Sequence, residues 1–105
     1  MTNPSDLSTA NSPKDLRQEL LESIDEAEWE WLQPHLERDS LVLVHSQLAL
    51  VDVGIALAGD NAIAVQHWIA EALISKPSPE QGQTWTAQKR FQALIIQPYV
   101  LIQEL

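Results

Sequence analysis

Cysteine is absent from this chain. That excludes disulfides, thiolate metal sites and a cysteine nucleophile. Glycine is nearly absent as well. The three present, Gly54, Gly59 and Gly82, cannot assemble a phosphate-cradling loop, so common modes of nucleotide binding are not expected. Long hydrophobic runs are missing. Stretches such as Leu41–Val44 and Ala93–Ile96 are far too short to span a bilayer. The opening MTNPSDLSTANSPKD has no basic-plus-apolar leader pattern, and the expected location is the cytoplasm. Basic residues are scarce, with six Lys/Arg against fifteen Asp/Glu and a net charge of −9. Such a chain repels phosphate backbones and anionic lipid. Its one basic doublet, Lys89-Arg90, is too small a patch to reverse that. Neither nucleic acid nor a membrane is an expected partner, and no cofactor motif is present.

At 105 residues with 45% apolar content, the chain has enough core for one domain and no room for a second. The Ser/Thr/Asn/Pro-rich residues 1–12 read as a disordered tail, and 13–105 as a single globular domain. Acidity is concentrated. Between Asp15 and Asp39 there are nine acids and two bases, a local balance of −7. If charge guides a partner, this third of the chain does the guiding.

Ser12-Pro13-Lys14-Asp15 reads as a helix start, with Ser12 as cap and Pro13 at the first helical position. Leu16, Leu20 and Ile24 follow as one apolar stripe, and the helix is expected to end near Asp25. Glu26 to Arg38 reads as a second helix, bent or restarted at Pro34. Leu41–Val44 is a short buried strand. Leu48 to Ala58 fits a helix, or a strand alternating through Val51, Val53, Ile55 and Leu57. The helix is preferred for its alanines and length. Asp60 is expected to cap a helix through Leu73, with Val65, Trp68, Ile69 and Leu73 inward. Ser78-Pro79-Glu80-Gln81 carries a capping box and opens a short helix reaching about Arg90. Ala93–Ile96 and Tyr99–Ile102 are β-type runs separated by Gln97-Pro98. The expected fold is α+β: four or five short helices packed on a small, mostly antiparallel sheet built from Leu41–Val44 and the C-terminal strands.

Several of these stretches resemble a bacterial family of unassigned function, DUF2288. They are Trp29 to Leu32, Leu48-Ala49-Leu50-Val51-Asp52-Val53, Asp60 with Trp68-Ile69, and the distinctive ending Gln97-Pro98-Tyr99-Val100-Leu101-Ile102-Gln103-Glu104. The similarity runs from about Leu16 to Glu104. It implies the domain boundaries and a bacterial origin but brings no activity, cofactor or partner with it. One departure stands out: Ala49 occupies a place where the family commonly has an acid.

Catalytic spacing is lacking. His35, His45 and His67 form no His-x-x-x-His or Glu-x-x-His pattern, so no metal site is expected. Asp52 is the only ionisable side chain from Leu48 to Ala58. It is a candidate buried acid, with either a raised pKa or, as the preferred structural reading, an exposed edge or an ion pair with Arg90, Lys89 or Arg38. Of the four tryptophans, Trp29, Trp68 and Trp85 belong to apolar faces. Trp31, two residues from Trp29, falls on roughly the opposite side of the same helix as an exposed partner anchor, unless the turn is irregular and both rings are buried.

The function that follows is a small, acidic, non-enzymatic protein-interaction module, an adaptor or assembly factor. Its candidate partner-binding residues are Glu19, Glu22, Glu26, Glu30 and Trp31. The strand-prone end, Leu94 to Leu105, also suggests a homodimer that extends its sheet through the C-terminal strands, with burial of that edge within the monomer as the alternative. The alternative is a small enzyme or ligand-binding protein using Asp52 and a histidine in a pocket near Trp68.

Overall fold

A computed structural model describes residues 13–105. The expected tail, 1–12, and the cap at Ser12 lie outside the described residues. Helix α1 (Pro13–Ser23), strand β1 (Asp25–Glu28) and helix α2 (Trp29–Glu37) come first, followed by β2 (Leu41–Val44), α3 (Leu50–Ala58) and α4 (Ala62–Ala70). Then come β3 (Ile74–Ser75), α5 (Pro79–Gln83), β4 (Arg90–Ile96) and β5 (Tyr99–Glu104). The fold is α+β, with five helices and a five-stranded sheet among the described residues.

The strand order is β1-β4-β5-β2-β3. Three of the four neighbouring pairs are antiparallel, and β2 runs parallel to β5. The C-terminal strands form a hairpin across Gln97-Pro98, whose peptide bond is cis. They are interior strands: β5 lies between β4 and β2, and β4 between β1 and β5. Of the two readings of the C-terminal run, the structure takes the one in which its edges are buried within the monomer's own sheet. The sheet ends instead at β1 and β3, so a dimer extended through the C-terminal strands has no free edge there.

Side chains alternate across the sheet and build two cores. On one face Val42, Val44, Leu94 and Leu101 meet Leu20 of α1 and Leu50, Val51 and Val53 of α3. On the other, Leu41, Phe91, Val100 and Ile102 meet Trp29 and Leu32 of α2, with Trp85 alongside. Three aromatic rings dominate this second core. Trp29 stands edge-on to Trp85, with centroids 4.8 Å apart, and Trp85 edge-on to Phe91 at 5.0 Å.

Several boundaries differ from the sequence reading; the helix expected to run through Leu73 ends at Ala70, and Ile74–Ser75 forms the short strand β3. Asp25–Glu28 is a strand rather than the start of the second helix. Its DEAE sequence has little strand preference, but it pairs with Arg90–Ala93. Helix α2 then begins at Trp29 without a side-chain cap, because the Trp29 and Glu30 amides donate to the Lys89 and Ala87 carbonyls. The cap of α4 is Asn61, whose side chain accepts from the Ala64 amide; Asp60 takes a left-handed turn just before it, at φ 55. Helix α5 ends at Gln83, and Arg90 opens a strand instead of closing that helix. The Ser78 cap is present, accepting from the Gln81 amide at 3.0 Å. Leu50–Ala58 is a helix.

Position 49 has a structural role. Ala49 is the N-cap of α3 and makes no side-chain cap hydrogen bond. An acid here, as the resemblance suggested, would accept from the first-turn amides and face the positive end of the helix. Ala49→Asp is therefore expected to raise unfolding free energy by about 1 kcal/mol. Urea denaturation checks this, and a loss of stability would sink the capping assignment.

Candidate functional site

The residues singled out from the sequence fall in separate places. Helix α1 packs on the first core and α2 on the second, so the sheet lies between them. Glu19 and Glu22 are exposed on α1, and Glu30 and Trp31 on α2, across the sheet. Glu22 accepts from Gln18 at 2.8 Å. Glu26 lies on the edge strand rather than a helix, where Arg90 donates to it through Nε at 2.9 Å and again through Nη2. The five do not form one continuous face.

Trp31 differs sharply from Trp29. Trp29 is 2% exposed, whereas Trp31 is 61% exposed on the outer side of the same helix. Two residues along a helix turn the side chain by about 200°, which places one ring in the core and the other in solvent.

Asp52 is not the buried acid that its apolar neighbours suggested. Its side chain is 45% exposed and accepts from Arg17 of α1 at 2.7 Å. The partner is Arg17, not Arg90, Lys89 or Arg38. A half-exposed pair like this contributes at most about 1 kcal/mol. The helix explains the position: Asp52 follows the buried Val51 and precedes the buried Val53 and Gly54, so it occupies the edge of α3 facing α1.

Among the described residues, three surface cavities stand out. One, of about 350 Å³, is bordered by His45, Ser46, Ser75 and Glu104. A second, of about 530 Å³, lies at the tip of the C-terminal hairpin, among His35, Arg38, Ser40, Ile95, Pro98 and Tyr99. A third, of about 490 Å³, is apolar and lies under α4, between Val42, Leu57, Val65, Ile69, Ile74 and Tyr99. Asp52 and Trp68 line none of the three, and His35 and His45 open onto different ones. The constellation of Asp52, a histidine and Trp68 is therefore not assembled in any of them. Among the described residues no cluster of three metal-ligating side chains occurs.

Charge pairing separates the basic residues. Arg17 meets Asp52, Lys76 meets Asp39, Lys89 meets Glu104 and Arg90 meets Glu26. The doublet Lys89-Arg90 is thus neutralised by acids brought in from β5 and β1. Among the described side chains, Arg38 makes no ion pair. Helix α4 is unusual in another way. Its sequence AIAVQHWIA is mostly apolar, yet none of its residues is buried. Ile63 is 83% exposed and Ile69 57%, which corrects the inward placement expected of Ile69, while Val65 and Trp68 pack against the first core.

Together these features define a small α+β domain with a mixed sheet, helices on both faces and, among the described residues, cavities that open on the surface. The chain belongs to the family described as "Protein of unknown function (DUF2288)", whose model matches residues 15–104. It is similar in structure to PA1075 from Pseudomonas aeruginosa, solved in solution by NMR. The two share 31% sequence identity over 91% of this chain and 89% of that one, with a TM-score of 0.75. No curated protein matches the sequence.

Among the described residues, no helix is long and apolar enough to cross a membrane.

Proposed function

We propose that this protein is a non-enzymatic interaction module that meets a basic protein partner, with Trp31 as the anchor. The exposed indole carries the reading. At 61% exposure, Trp31 offers a large, rigid apolar surface of the kind that dominates interface energetics once a partner excludes water from it. It stands beside the exposed Glu30 on a helix already held firmly by Trp29 and Leu32. A rigid platform reduces the ordering cost of binding. The net charge of −9 selects partners of the opposite sign and speeds encounter at low salt. Glu19 and Glu22, across the sheet, add to that long-range field without touching the same partner surface. Glu26, already held by Arg90, contributes least.

The test uses two variants, Trp31→Ala and the triple change Glu19→Gln, Glu22→Gln, Glu30→Gln. All four positions are exposed, so fold stability should stay within about 0.5 kcal/mol of the parent. In affinity purification from the native cell, Trp31→Ala should lose the stoichiometric partner. The triple variant should retain it only at lower ionic strength than the parent. Retention of every association by both variants at all salt concentrations would overturn the reading.

A further inference from the structure

Beyond that reading, the groove at the hairpin tip has the makings of a ligand site. Its cationic side begins where α2 stops. The chain turns at Asp39, in the left-handed region at φ 59, and the Ser40 amide and hydroxyl both donate to the His35 carbonyl. This compact turn sets Arg38 and His35 against the start of β5. Of the two carboxylates adjacent to it in sequence, Asp39 is claimed by Lys76 at 3.0 Å, and Glu37 makes no ion pair with Arg38. Four of the five basic side chains described are matched to acids of this chain, and the fifth borders a cavity.

The other side of the groove is apolar. Ile95 lies on the same sheet face as Phe91 and Ala93, but α2 and α5 do not extend over it, and it remains 64% exposed. Pro98 and Val100 continue that surface. Tyr99 borders both this groove and the apolar cavity under α4. A ligand with its charged end at Arg38 therefore has apolar surface beside it and more beyond Tyr99. The volume, about 530 Å³, falls within the range of small-molecule sites.

We propose that this groove binds a small organic monocarboxylate with an apolar body. The planar guanidinium of Arg38 matches a carboxylate through paired N–H donors and is weakly hydrated for a cation. The apolar body would cover Ile95, Pro98 and Tyr99. Charge gives the assignment its direction, because a chain of net −9 repels anions generally. An anion is accommodated where a cation lacks an internal counter-ion, and among the described side chains that place is Arg38.

The probe is octanoate, titrated into the full-length ¹⁵N-labelled protein, with acetate and octanol as comparators. Octanoate should give saturable shifts in the Ser40, Gln97, Tyr99 and Val100 amides. Acetate, without the apolar body, and octanol, without the charge, should each bind at least tenfold more weakly. Arg38→Gln should weaken octanoate at least tenfold while leaving the rest of the spectrum in place, since Arg38 is exposed. Ile95→Asp, which sets a carboxylate in the groove, should abolish binding. The proposal is overturned if the shifts do not saturate or centre on Ile63 and Ile69. Equal binding of octanol, or an unchanged affinity in Arg38→Gln, would overturn it as well.

Discussion

Phe91→Ala is expected to lower the unfolding free energy by about 4 kcal/mol, the middle of the range for emptying a buried aromatic site. Phe91 is fully buried in β4, with ring centroids of Trp85 at 5.0 Å and Trp29 at 6.0 Å. Removing its ring takes away more than transfer energy. The two indoles have large, rigid outlines and cannot rotate into the space as aliphatic chains would, so a cavity persists. The loss reaches further because Trp29 is also the residue with which α2 begins, and Gly82 of α5 packs against it. A Cβ at Gly82 would stand 2.9 Å from the Trp29 ring. The three rings therefore tie α2, α5 and the loop carrying Trp85 to the sheet. For a domain whose total stability is of order 5–15 kcal/mol, the expected fall in Tm is roughly 20 °C. Thermal unfolding followed by far-UV circular dichroism measures it. A loss under about 1.5 kcal/mol would mean that the cluster collapses around the gap and that the second core does not depend on these rings.

The second large effect lies on the opposite face. Gly54→Val is expected to cost about 3 kcal/mol through overpacking. Gly54 is buried in α3 where the helix presses on the sheet and on α1 together. A Cβ there would sit 2.8 Å from Cδ2 of Leu94 and 3.3 Å from Cδ1 of Leu20. Alanine would meet mainly those flexible methyl ends and would recover up to about 1 kcal/mol of helix propensity. Valine adds two methyl groups that point toward side chains which are themselves buried. Leu94 is fully buried and Leu20 nearly so, so the small shift of their methyl ends that admits one Cβ does not extend to the two further methyl groups of valine. The diagnostic is a double-mutant cycle. Leu94→Ala alone should cost a few kcal/mol as a cavity. Combined with Gly54→Val, the total should fall short of additivity by at least about 1 kcal/mol, because the valine fills part of the vacated space. Simple additivity in urea titrations would show that the close approach is relieved elsewhere.

Both predictions act on contacts between elements distant in sequence, and this is also where the sequence reading stopped. Within single elements much was legible. The leucine stripe of α1, the Leu41–Val44 strand, the apolar helix from Leu50 to Ala58 and the Ser78 cap all report local preferences, which the tertiary structure leaves intact. So does the split between Trp29 and Trp31, because helical periodicity separates residues two apart whatever surrounds the helix. The candidate residues fared less well. The apolar neighbours of Asp52 leave a buried acid and a partly exposed helix edge both open; the helix makes it the edge, turned toward Arg17 on α1, a partner that the sequence does not point to. The sequence pattern groups Glu26 with the helical acids, whereas pairing with β4 makes it a strand residue held by Arg90.

The sequence by itself determined the chain's acidity, the absence of thiol chemistry and phosphate loops, the α+β class and most of the helices. Each follows from composition or from a period of two or 3.6 residues, and these are local properties. The tertiary structure decided which acids neutralise which bases, and therefore that Arg38 alone among the described bases has no acid paired with it. It also decided that the C-terminal strands lie inside the sheet with their edges covered. Pairings across 35 to 64 residues, such as Arg17 with Asp52 and Glu26 with Arg90, leave no periodic trace. Their geometry comes into being only when the sheet brings the partners together.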